Sequence, residues 1–81
     1  TTISSSSKIF QNVSLIEPVF IGKNTTICPG CTIGPFVSIG ENVQIKNNIE
    51  ISNSFILNDS NIKSLNNIKN KIISPTGIIQ I

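Results

Sequence analysis

The sequence predicts an all-β chain wound as a single-stranded parallel β-solenoid, with three short strands and 18 residues per coil and about four to five coils. Three observations carry this expectation: a strict six-residue apolar period, a strand-favouring composition, and Gly and Pro at recurring phases of the repeat. The period is the strongest. Stepping by six from Ile3 meets Ile9, Leu15, Ile21, Ile27, Ile33, Ile39, Ile45, Ile51 and Leu57. Ile and Leu fill 21 of 81 positions, so ten successive hits have a chance of roughly one in a million per phase by template counting.

Composition points the same way. Ile occurs 18 times, whereas Ala, Met, Trp, Tyr, His and Arg are absent. Abundant β-branched residues suit a pleated surface, and a helical bundle without Ala, Met or Arg runs against helix propensity. At 81 residues the chain is one domain. Regular hexads are expected over 3–57, an irregular bulge or loop over 58–67, and terminal strands over 68–81.

Within each unit, a second column lies two residues before the ladder: Val13, Val19, Thr25, Cys31, Val37, Val43, Ile49 and Phe55. A separation of two puts both side chains on one side of an extended strand, so each unit reads as a short strand with two inward residues, then a corner. Gly22, Gly34 and Gly40 follow the ladder directly, where the chain must turn or approach its neighbour closely. Pro18, Pro29 and Pro35 sit in corners, where a missing N–H is harmless. Helices require spacings of three and four, and sandwich strands are longer than six residues allow once a turn is included. A coil of three units stacks Ile3 on Ile21, Ile39 and Leu57, Ile9 on Ile27 and Ile45, and Leu15 on Ile33 and Ile51. Stacked coils share one continuous core, and four and a half of them rise about 21 Å.

The stretch Ile16-Glu17-Pro18-Val19-Phe20-Ile21-Gly22, with Ile33-Gly34-Pro35-Phe36-Val37-Ser38-Ile39-Gly40 and Ser52-Asn53-Ser54-Phe55-Ile56-Leu57, resembles the hexapeptide-repeat family. Within that family it is similar to the C-terminal β-helix of sugar-1-phosphate nucleotidyltransferases of the glucose-1-phosphate thymidylyltransferase type, over roughly residues 8–73. The resemblance implies a left-handed coil, contrary to the usual crossover rule. It also implies a parent protein whose catalytic domain carries a Gly-rich nucleotide loop. No segment here matches that loop, so no catalytic residue is carried over and the chain is not expected to be an enzyme on its own. A chain starting at Thr1 agrees with a fragment or a processed product.

Without His there is no imidazole base, shuttle or metal ligand. The acyltransferase and carbonic anhydrase branches, which the resemblance implies need His, are excluded on that ground. Neither a cofactor nor a metal is expected: acidic residues number four and are scattered. The net charge is +2, carried entirely by Lys without a basic run, so neither nucleic acid nor membrane is an expected partner. The expected location is cytoplasmic, with a secreted or surface protein after signal removal as the alternative.

After Leu57 the phase fails, since Lys63, Lys69 and Pro75 come next. A one-residue slip restores Ile56, Ile62 and Ile68, and a further slip Ile73 and Ile79. The end of the chain reads as two strands around Pro75-Thr76-Gly77. Cys28 and Cys31 form the one motif with chemistry. With no other Cys and no His for a zinc site, and no helix to activate a thiol, they read first as repeat filler, then as a disulfide within the chain or between subunits.

The functional clue is apolar surface. Phe10, Ile16, Phe20, Phe36 and Ile56 are expected outward or at corners, and Phe20 and Ile56, 36 apart, on one outer face. With Ile78, Ile79 and Ile81 on an uncovered last strand, they are the interface candidates. The expected function is a structural module that associates with copies of itself, as a trimer or a dimer. Alternatives are a second ligand site serving the parent enzyme and an extracellular filament of solenoids stacked end to end.

Overall fold

The computed structural model describes residues 2–63 and 66–80. The first coil runs through β1 (Thr2–Ile3), β2 (Lys8–Ile9) and β3 (Ser14–Leu15). The second holds β4 (Val19–Ile21), β5 (Thr26–Ile27) and β6 (Thr32–Ile33). The third holds β7 (Val37–Ile39), β8 (Gln44–Ile45) and β9 (Glu50–Ser52), and the fourth β10 (Ser54–Ile56), β11 (Asn61–Ile62) and β12 (Asn67–Lys69). A hairpin of β13 (Lys71–Ser74) and β14 (Gly77–Gln80) follows.

Equivalent strands of successive coils pair in parallel and make three faces. The first is the six-stranded sheet β1-β4-β7-β10-β13-β14; the second and third are four-stranded, β2-β5-β8-β11 and β3-β6-β9-β12. Among the described strands only β14 runs antiparallel, against β13. The whole spans 28 × 22 × 19 Å. Between the faces lies the expected core: Ile21, Ile27, Ile33, Ile39, Ile45 and Ile51 are all buried, with Val19, Cys31, Val37, Val43 and Ile49 between them. At the first coil Ile9, Val13 and Leu15 are half-buried, because described coils pack on one side of them only.

Small polar residues enter this core by one recurring bond. Thr25 Oγ1 donates to the Gly40 carbonyl at 2.7 Å, Cys31 Sγ to the Lys46 carbonyl at 3.0 Å, and Ser7 Oγ to the Gly22 carbonyl. In each, the acceptor lies 15 residues onward, just past a strand of the next coil. A buried hydroxyl without such a partner would be costly; among the described residues, no buried side-chain nitrogen or oxygen lacks one.

The corners explain the many Asn residues. Among the described non-glycine residues with positive φ, all but Phe36 are Asn or Asp: Asn12, Asn24, Asn42, Asn48, Asn53, Asp59 and Asn70. These types enter the left-handed region most easily. They also stack from coil to coil, Asn42 Nδ2 donating to Asp59 Oδ1 at 3.2 Å and Asn53 Nδ2 to Asn70 Oδ1. At the corner leading into the first face, the earlier coils place cis peptides, Glu17–Pro18 and Gly34–Pro35. Gly34 has φ +110°, and a Cβ there would fall 1.9 Å from the Ile16 carbonyl oxygen, so only glycine fits.

The placing of Phe55, Ile56 and Leu57 is corrected here. Of the irregular stretch expected over 58–67, residues 58–63 form a regular corner and strand, with Ile62 beside Ile45, while residues 64 and 65 lie outside the described residues. The slip falls earlier, at the corner after Ile51. Ser54 aligns with Val37 and Ile56 with Ile39, 17 residues back rather than 18. A corner one residue shorter suffices, and it turns on Asn53 with φ 47°. Everything beyond it changes face. Ile56 is therefore 1% exposed and belongs to the core, not to the surface, while Leu57 is 44% exposed and leaves the ladder. Phe55, placed inward by the six-residue phase, points out, and Ser54 takes the small inward position.

Candidate functional site

The three faces differ in what they show to solvent. Aligned outward residues of the second face are Lys8, Thr26, Gln44 and Asn61. Those of the third are Ser14, Thr32, Glu50 and Asn67. Both rows are polar. On the first face the aligned row is Phe20, Ser38, Phe55, Ile72 and Ile79. Phe20 is 54% and Phe55 51% exposed, and Ile79 is exposed beyond them. Ser38 lies between the two rings, so its small side chain floors a trough of about 250 Å³ lined by Pro18, Phe20, Phe36, Val37, Asn53 and Phe55.

Phe36 stands at one margin of the trough. Its φ of 60° places a bulky residue in the left-handed region, and its ring is 63% exposed. Such a conformation is disfavoured for an aromatic residue. Burial of the ring within this chain does not offset it, because most of the ring faces solvent. An unfavourable backbone angle that presents an apolar ring to water is a pointer to contact with something else.

The other interface candidates separate. Phe10 and Ile16 are exposed but follow β2 and β3, away from the first-face row. Ile78 and Ile79 lie on β14 and are exposed, whereas Ile81 is outside the described residues. Phe55 and Ile72 belong to the row and were missed from sequence. The signal existed: the slipped series Ile56, Ile62, Ile68, carried one strand upstream, already turns Phe55 outward.

Cys28 and Cys31 are both free thiols, so the disulfide weighed from sequence is not formed within the chain. Cys31 faces the core and spends its S–H on Lys46, while Cys28 is half-buried just beyond β5. Burial pushes the Cys31 thiol above its ordinary range, and the nearby Cys28 adds to that; hydrogen bonds from the Ile49 and Asn48 backbones oppose it. A thiol held neutral in a core is inert, unlike an activated nucleophile. Among the described residues, no three His, Cys, Asp or Glu side chains stand together where they could hold a metal ion.

A three-faced parallel β-solenoid with one apolar and two polar faces belongs to the hexapeptide-type class, and the comparison with protein families narrows it. The family described as the GMPPB C-terminal domain matches residues 15–80 of the 81, and the chain belongs to that family. It is thus a left-handed β-helix of the sugar-nucleotidyltransferase C-terminal type. No curated protein matches the chain.

Proposed function

We propose that this β-helix is an assembly module of a sugar-1-phosphate nucleotidyltransferase and acts by packing its first face against the same face of a second copy. Nucleotide transfer itself belongs to other parts of such a protein. The observation that carries the reading is the row Phe20, Ser38, Phe55, Ile72, Ile79 on one face, set against polar rows on the other two. An outward row with aromatic side chains and without Lys or Glu, beside rows that carry Lys8 and Glu50, has the composition of an interface centre. Apolar rows on facing sheets interdigitate at a spacing of about 10 Å.

One apolar face favours a dimer over a trimer. A two-fold contact uses the same patch twice, whereas a three-fold ring needs two different complementary patches on every copy. End-to-end filaments find no support, because the reversed strand β14 occupies the first-face edge that a following coil would need.

The test is sedimentation equilibrium of the 81-residue chain across a concentration series, beside a variant carrying Phe20→Ser and Phe55→Ser. Association that weakens at least about tenfold in the variant, with an unchanged far-ultraviolet spectrum, is the expected result; it corresponds to losing about 1.4 kcal/mol or more. Equal masses for the two proteins at every concentration would overturn the assignment of this face.

A further inference from the structure

The left-handed turn positions of this chain follow one rule, and Phe36 breaks it. Phe36, Asn53 and Asn70 each come directly before an aligned strand of the first face, β7, β10 and β13. They share one conformation, with φ of 60°, 47° and 59°. Asn53 and Asn70 suit it, and their side chains bond to each other from coil to coil. Every other described non-glycine residue with positive φ is also Asn or Asp. Phenylalanine in this place forgoes both the easier backbone and the side-chain ladder. A residue that violates its own chain's pattern, without a gain inside the fold, marks a functional position.

Coils on both sides fix this turn. The Val37 N–H donates to the Pro18 carbonyl at 3.2 Å, and the Ser54 N–H donates to the Phe36 carbonyl at 3.1 Å. The ring is thus held at its root before it meets anything, which lowers the cost of binding. Beside it lies the trough floored by Ser38 between Phe20 and Phe55. Those two residues stand two strands apart, about 9–10 Å. Aromatic rings rest with centroids about 4.5–7 Å apart, so one further ring between them meets both. No Lys, Asp or Glu lines the trough; a charged or phosphorylated ligand finds no counter-charge there, and an uncharged apolar group fits. A small apolar ligand would fill the trough yet leave Phe36 in water. A second copy answers both needs at once, because a two-fold contact brings residue i of each copy to residue j of the other.

We propose that Phe36 of each copy enters the trough of the other, between Phe20 and Phe55 and over Ser38, and that its strained turn is kept for this contact. This rests on the face-to-face association proposed above and names the residue that sets its register. The exposed parts of the three rings supply roughly 250–420 Å² per copy, against about 800 Å² in a standard interface. Area alone therefore gives a weak contact, and the fit of ring to trough decides whether it forms.

Two single variants of the 81-residue chain separate ring insertion from simple apolar contact. Ser38→Ile adds apolar surface and suits a strand, but it fills the floor of the trough. Insertion predicts association at least about tenfold weaker by sedimentation equilibrium, whereas a face that adheres by area alone associates as tightly or more so. Phe36→Asn installs the residue type that Asn53 and Asn70 use at the same place. It is expected to raise the thermal midpoint of the dilute, monomeric chain by about 4–8 °C as the turn relaxes, and to weaken association at least about tenfold. In a mixture of isotope-labelled and unlabelled chains, filtered NMR is expected to show the Phe36 ring against Ser38 of the other copy. If either variant keeps the unmodified association, or Phe36→Asn lowers the midpoint, ring insertion is overturned; face packing still stands if Phe20→Ser with Phe55→Ser weakens association. If that double variant associates unchanged, face packing fails and ring insertion with it. A monomer at every concentration removes both.

Discussion

Replacing Ile33 by alanine measures how the stacked core holds this fold together. Ile33 is wholly buried, between Leu15 of the coil below and Ile51 of the coil above. The change deletes three carbons, which at about 0.8 kcal/mol each is a transfer loss near 2.4 kcal/mol. Coils above and below prevent the site from collapsing, so a cavity cost adds to this, for a total of about 3 kcal/mol within the usual span of about 2–5. In a domain of this size that lowers the melting midpoint by roughly 12–24 °C. Leu15→Ala is the control: the ladder position is equivalent, but the side chain is half-buried, so about 1–1.5 kcal/mol is expected from the smaller area. Urea unfolding followed by far-ultraviolet circular dichroism gives both values. Equal losses at the two positions, or a loss under about 1 kcal/mol for Ile33→Ala, would refute the idea that burial graded along the axis sets each coil's contribution.

Three further outcomes follow from the same packing. Ile56→Lys buries an unpaired charge and should prevent folding or cost more than about 4 kcal/mol, whereas Leu57→Lys should stay within about 0.5 kcal/mol; a reversed order in thermal melts would return the ladder to Leu57. Thr25→Val keeps the shape but leaves the Gly40 carbonyl without the 2.7 Å bond, so urea unfolding should show a loss of about 1–3 kcal/mol; a neutral result would mean the recurring core bond contributes nothing. Because burial raises the Cys31 thiol above its ordinary 9.0, the folded chain holds that proton more tightly than the unfolded one. Its contribution is therefore complete below pH 9 and is lost as pH rises through the folded value. Stability measured against pH should fall above pH 9 in the native chain, and less steeply in Cys31→Val; identical profiles would exclude Cys31 as the cause.

The fold and most of the core were legible from the amino-acid sequence, and the working surface only in part. A six-residue step in Ile and Leu determines a three-sided coil, because no helix or long-stranded sheet buries one residue in six on a single line. The inward small column from Val13 to Ile49 follows from the two-residue strand period. Phe20 as an outward residue follows from the same count. What the sequence left open was corner length, because a corner has no buried side chain to mark it. Asn53 turns the chain in one residue fewer than the Pro corners do; the slipped series Ile56, Ile62, Ile68 signals the shift, and the pairing of Ile56 with Ile39 places it at that corner. Since neighbouring residues of a strand point to opposite sides, that single missing residue exchanged Ile56 for Phe55 on the surface. The tertiary structure alone also aligned Phe20, Phe55, Ile72 and Ile79 across separate strands of the first face. Local period determines which residues a coil buries; the register between coils decides which exposed residues meet.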